Sequence, residues 1–152
     1  MKPVLVIGLG NPLMGDDGAG CAVAEQLAAD PRLPENVEVI CGGSDLLRCS
    51  DQIDGRARVV VIDAVQDDAE PGSVSSFDDA GSDLDDRQDH AHQLSAVQAI
   101  RLLKLTTSAH CRLLGISISS AAAGARLSPA LVDRMPAILD RVLQELTWNS
   151  SK

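Results

Sequence analysis

Aromatic side chains are almost missing from this chain: Phe77 and Trp148 are the only two in 152 residues, and there is no tyrosine. That scarcity excludes a surface built to stack nucleobases and requires an aliphatic core. Positive charge is also short, since 13 Lys and Arg face 22 Asp and Glu for a net charge of −9. With no basic patch, binding to nucleic acid or to an anionic membrane through phosphate neutralisation is excluded, whereas a partner with a basic surface suits the chain. Long apolar runs are missing too: after Lys2 only a short one precedes the first glycine. The reading is of no signal peptide, no membrane span and a cytoplasmic protein. Cys21, Cys41, Cys49 and Cys111 form no C-x-x-C pair and have no histidine at zinc-finger spacing. They are expected as reduced, mostly buried thiols.

What is present is a concentrated motif near the start. Residues 4–27, VLVIGLGNPLMGDDGAGCAVAEQL, read as a buried strand, a tight Gly-Asn-Pro loop and a helix opened by two adjacent carboxylates. The layout imitates a phosphate-binding turn, but the residues refuse it. A dinucleotide fingerprint needs glycine where Leu13 stands, and a P-loop running from Gly10 to Gly15 needs Lys-Ser/Thr where Asp16-Asp17 stand. Two carboxylates repel phosphate and suit a cation; the helix N-terminus helps to keep them ionised. Either one alone could instead cap the helix. Two in a row leave one acid free after capping.

Strand and helix then alternate along a chain whose length suits one domain. Val37 to Cys41 is predicted as a strand, and Ser44 to about Gln52 as a short helix capped by Ser44. Arg58 to Val65 carries four consecutive apolar residues, fitting a strand buried on both faces and ending at Asp63. In open α/β sheets that edge is where ligands bind, and it is the edge on which Asp16 and Asp17 fall. Asp63 could also be a turn residue or a cap. Pro71-Gly72 marks a turn before an edge strand, Ser73 to Phe77. Asp78 to Asp89 holds six aspartates against one arginine and reads as a solvated loop, or as a rim that steers a basic partner. Leu94, Val97, Ile100 and Leu103 give a helix its inward face, Cys111 to Ser117 a further strand, and Ser119 to Arg126 a small-residue loop. Ser128-Pro129 opens a last helix with the stripe Leu131, Met135, Ile138, Leu139, Val142, Leu143 and Leu146, which Pro136 should kink. The order βαβαββαβα predicts a three-layer α/β/α sandwich on a mostly parallel, mixed five-stranded twisted sheet.

His90 and His92 stand between the acidic stretch and a helix, where a loop residue could fold over a site. Two aspartates and a histidine make a mixed oxygen and nitrogen set suited to zinc or nickel and poor for calcium. Three such ligands leave coordination positions open for substrate.

The combination of GLGNPLMGDDGAG at 8–20, GGS at 42–44, VVVIDAV at 59–65, PGSV at 71–74 and HQL at 92–94 resembles the hydrogenase maturation endopeptidases, over a stretch from Val4 to about Leu146. The resemblance implies that family's phosphorylase/hydrolase-like fold. It also implies an activity: removal of a C-terminal extension from the nickel-loaded precursor of a nickel-iron hydrogenase large subunit, in a family grouped with aspartic-type peptidases. By motif, the family's metal-ligating and catalytic positions fall on Asp17, Asp63 and His92, with nickel supplied by the precursor. Asp16 is the weaker match and His90 has no counterpart. Two other readings stand beside it: a nickel-dependent scaffold that would use the same three ligands and hold the precursor without cutting it, and a non-catalytic Rossmann-like nucleotide module, against which the failed glycine and lysine positions count.

Overall fold

The computed structural model describes residues 1–78, 96–119, 124 and 126–147. Five strands form one sheet in the order β2-β1-β3-β5-β4: β1 Val4–Leu9, β2 Val37–Gly43, β3 Arg58–Gln66, β4 Val74–Asp78 and β5 His110–Ile118. Pairing is parallel except between β4 and β5, which run antiparallel at the edge. The mixed sheet read from the turn at Pro71 is therefore present, and β4 is its edge strand.

Alternation along the strands sends side chains to two separate cores. Val6, Val60, Ile62, Leu114 and Ile116 pack against α1 (Ala19–Ala28) and α4 (Pro129–Thr147). Leu5, Ile7, Val59, Val61 and Leu113 face the other layer, where α2 (Ser50–Ile53) and α3 (Ala96–Leu103) lie. Three layers follow directly. Both faces are covered, which is why β1 and β3 read as unbroken apolar runs.

Local expectations were amended in four places. The segment after β2 is a 3-10 turn, Leu46–Cys49, running into α2, and its cap is Asp45, whose carboxylate accepts the Leu47 N–H at 3.0 Å, in place of Ser44. Cys41 is exposed, unlike the buried Cys21, Cys49 and Cys111, because β2 is an edge strand and Cys41 lies near its end. Helix α4 runs unbroken through Pro136. Pro136 and Val132 both lie on the exposed face, where water can serve the Val132 carbonyl that proline leaves without its N–H partner. Neither Asp16 nor Asp17 caps α1, whose N-cap is Gly18 with no side-chain bond. Leu94 and the stretch 79–95 lie outside the described residues, while Val97, Ile100 and Leu103 face inward as read.

Candidate active site at the carboxyl edge of the sheet

The connection from β1 travels to one side, to β2, and β3 enters the sheet on the other side of β1. The crevice between the carboxyl ends of β1 and β3 is thus the topological switch point, the place where open α/β sheets bind ligands. Asp17 enters it from the loop after β1, and Asp63 from β3 itself, one residue beyond the Gly8–Ile62 register pair.

The glycines of the motif build this crevice by close packing. A Cβ on Gly20 would collide with the carbonyl oxygens of Leu9 and Ile62, and one on Gly8 with the carbonyl of Gly20. Helix α1 can therefore start directly against β1 and β3. Gly10, at φ 129°, turns the chain in a conformation other residues resist, and a Cβ there would meet the Asp17 carbonyl. The glycines of the turn are thus taken up by contacts between backbone segments of the motif itself. What separates the turn from a nucleotide fingerprint is its residues, Leu13 in place of the third glycine and Asp16-Asp17 in place of Lys-Ser/Thr.

The two adjacent acids have different partners. Asp16 is buried, and its Oδ1 accepts the Ser128 backbone N–H at 2.6 Å, tying the loop to the start of α4. Asp17 is half-buried, and its Oδ2 accepts the Asn11 N–H at 2.9 Å. Asn11 in turn holds the loop through its side-chain oxygen, which accepts the Leu13 N–H at 3.0 Å. Neither carboxylate accepts an N–H of α1, so capping of that helix explains neither.

Asp63 is half-buried and its Oδ1 accepts the N–H of its neighbour Ala64 at 2.9 Å. Burial pushes its carboxyl up to about 7, the Ala64 N–H opposes the rise, and the negative charge of Asp17 adds to it. The charge of Asp17 is thus felt at Asp63. His92 and His90 lie outside the described residues. Among the described residues no group of three or more His, Cys, Asp or Glu is placed to hold a metal ion. Oxygen donors from Asp17 and Asp63 fit a divalent cation as a partial set, to be completed by a further ligand.

Cysteine chemistry is disfavoured here. Cys21 lies under the loop, its Sγ 3.3 Å from the Gly8 carbonyl oxygen, and burial, reinforced by neighbouring Cys41, pushes its thiol up to about 12. Such a thiol stays protonated and is a poor nucleophile. Two positioning contacts carry no signal in the sequence. Gly124 N–H donates to the Leu13 carbonyl at 3.0 Å, and Gly15 N–H donates to the Gly124 carbonyl at 2.6 Å, stitching the later loop to the motif as a parallel bridge between Met14 and Gly124. Their partners are more than a hundred residues apart, beyond the reach of any local pattern.

A three-layer α/β/α sandwich on a mostly parallel, mixed five-stranded sheet, with two acids at its carboxyl edge, defines the class of α/β protein. The chain belongs to the hydrogenase maturation protease family, whose sequence model matches residues 21–145. A Methanocaldococcus jannaschii protein, provisionally designated a hydrogenase maturation protease, is 40% identical over 81 residues, which are 51% of this chain and 51% of that protein. The hydrogenase expression/formation protein HupD of Bradyrhizobium diazoefficiens is 32% identical over 71 residues, 47% of this chain and 37% of that protein. The matched region thus spans about half, or less, of these relatives. Among solved structures, the [NiFe] hydrogenase maturation protease HybD of Thermococcus kodakarensis superimposes with a TM-score of 0.71 at 29% identity, covering 97% of this chain and 100% of that one. HycI from the same organism gives 0.79 at 21% identity, covering 97% and 94%, which shows the shared fold.

Proposed function

We propose that this protein is an endopeptidase that removes a C-terminal extension from the nickel-loaded precursor of a nickel-iron hydrogenase large subunit. The observation that supports the reading is that Asp17, in the turn after β1, and Asp63, on the neighbouring strand β3, stand at the carboxyl edge of the sheet, where the charge of Asp17 is felt at Asp63. Membership of the maturation protease family supplies the reaction class.

In this reading nickel arrives as part of the substrate. Asp17, Asp63 and His92 are the proposed ligands that meet it, two carboxylates and an imidazole being a donor set that nickel accepts. The metal provides a docking point that only a loaded precursor offers. Asp63 has a second proposed role. A carboxyl raised above the usual carboxylate range by burial would be suited to passing a proton between the attacking water and the leaving amine wherever it does not itself hold the metal. Asp17 raises Asp63 by its charge and is itself positioned by Asn11. The proposed compartment is the cytoplasm, in keeping with four free cysteines. Among the described residues no helix is long and apolar enough to cross a membrane.

The test is a processing assay. Large-subunit precursor, with and without nickel, is incubated with the protein or with Asp17→Asn, and its mass is read. Loss of a short C-terminal peptide only from nickel-loaded precursor, and only with the unmodified protein, is the expected result. Nickel-loaded precursor that binds yet keeps its full mass would replace the peptidase with a scaffold.

A further inference from the structure

Leu13 and Met14 expose their side chains in the one loop where exposure matters most. Leu13 is 69% exposed and Met14 37%. The other exposed large apolar residues among those described lie elsewhere: Met1 at the terminus, Leu102 and Leu105 at and beyond the end of α3, and Val132 on the outer face of α4. Leu13 and Met14 are adjacent, and they belong to the loop that carries Asp17.

Their exposure is fixed by the backbone. The Leu13 N–H donates to the Asn11 side chain at 3.0 Å, and the Met14 N–H to the Asn11 carbonyl at 3.0 Å. The Leu13 carbonyl accepts from Gly124, and Gly124 accepts from Gly15. With main-chain groups on both sides tied down, the loop cannot roll its apolar side chains inward without breaking several bonds. A leucine and a methionine held in water on a pinned loop present a preformed apolar surface. The link to the chemistry is short, because Asn11, which anchors Leu13 through its side chain, gives its backbone N–H to Asp17.

We propose that Leu13 and Met14 form the lip that grips the precursor, taking an apolar side chain of the peptide segment beside the scissile bond. The assignment rests on the peptidase reading and adds a specificity determinant to it. Carboxylates can meet a metal, but they offer nothing to an uncharged stretch of peptide. The lip supplies that contact, and the flexible thioether of Met14 adapts to the shape it meets. Cleavage should therefore depend on an apolar residue in the precursor near the cut as well as on its metal.

The experiment compares the full-length protein with Leu13→Ser/Met14→Ser and with Leu13→Met, measuring kcat and KM for processing of nickel-loaded precursor and, separately, Kd for the same precursor. Removing most of a leucine contact is expected to raise KM and Kd about tenfold or more, with kcat changed less than about twofold. Leu13→Met should restore both constants to near the parent values. Exposed positions leave folding intact, so the thermal midpoint should stay within about 2 °C. An unchanged KM and Kd in the double serine variant would overturn the lip, as would a loss confined to kcat. If the parent protein binds precursor but does not cut it, the peptidase reading fails while the Kd comparison still decides the lip. If it neither binds nor cuts, both fail.

Discussion

Asp16 and Ser128 are joined across 112 residues of sequence: the buried Asp16 carboxylate accepts the Ser128 N–H at 2.6 Å and so fixes the motif loop to the start of α4. Its neighbour Asp17 bonds only six residues back, to Asn11. In the proposed function the two acids divide structural and chemical duty. Removing a charged partner from a buried hydrogen bond costs about 2 kcal/mol, so Asp16→Ala should lose that much in urea unfolding. Asp17→Asn keeps an oxygen that can accept from Asn11, and should stay within about 0.5 kcal/mol of the parent while losing precursor processing. Equal costs at the two positions would remove the division.

Asp63 gives a pH dependence of definite sign. Its carboxyl lies at about 7 in the folded protein, mainly through burial, against an ordinary value of 3.8. Between those values the folded state holds a proton that the unfolded chain has released. The stabilisation is therefore complete below about pH 4 and is lost as the pH rises through about 7. Urea melts of the parent and of Asp63→Asn across pH 4 to 8 isolate this group from the other carboxylates. The variant should match the parent near pH 4 and exceed it by several kcal/mol at pH 8. A difference independent of pH would show that Asp63 ionises like a surface acid.

The sequence made the sheet legible because each central strand is a short β-branched run bounded by glycine or aspartate, and the Pro71-Gly72 turn betrayed the antiparallel edge. The shared edge of Asp17 and Asp63 was legible because acids that follow two parallel strands fall on the same side of the sheet, although β3 runs on to Gln66 and does not end at Asp63 as the apolar run suggested. What stayed hidden were pairings set by tertiary packing. The bond from Ser128 to Asp16 and the bridge from Met14 to Gly124 join segments with no periodic relation. Asp45 displaced Ser44 as a cap because the chain entered its turn one residue later than propensity suggested. Cys41 was misplaced because apolar character marks a strand but does not say whether that strand lies at an edge.

Close packing at the motif glycines separates two kinds of glycine by experiment. Gly20→Ala would place a Cβ against two carbonyl oxygens, of Leu9 and Ile62, neither of which can move without displacing a central strand. Gly43, unlike the helical Gly20, has a positive φ, 66°, but nothing lies within 4 Å of the place its Cβ would take. Gly43→Ala should cost about 1 kcal/mol for its backbone alone, while Gly20→Ala should cost more than about 3 kcal/mol or prevent folding. Soluble yield and urea midpoints read the contrast. Similar behaviour of the two variants would mean that the motif glycines serve conformation and not contact.

At the opposite edge of the sheet a buried charge cluster offers the control for all active-site claims. Glu145, 5% exposed on α4, is bonded by Arg112 and by Arg141 at 2.8 Å, and its backbone carbonyl accepts from Arg58 at 2.9 Å. Arg58 opens β3 and Asp63 lies five residues further along, so at about 3.3 Å per residue the cluster is roughly 16 Å from the crevice. Deleting one member of a buried ion pair leaves charge without compensation, and Glu145→Ala should lose about 3 to 5 kcal/mol. A Glu145→Ala/Arg112→Met double variant removes both sides and should recover part of that loss, since a buried pair is often replaceable by apolar packing. Neither change touches Asp17, Asp63 or their partners. Variant protein that remains folded at low temperature should therefore process precursor with the parent kcat and KM, whereas Asp17→Asn should fold like the parent and process nothing. A Glu145 variant that is folded yet inactive would mean that the two edges of the sheet are coupled, and would move part of the catalytic argument out of the crevice.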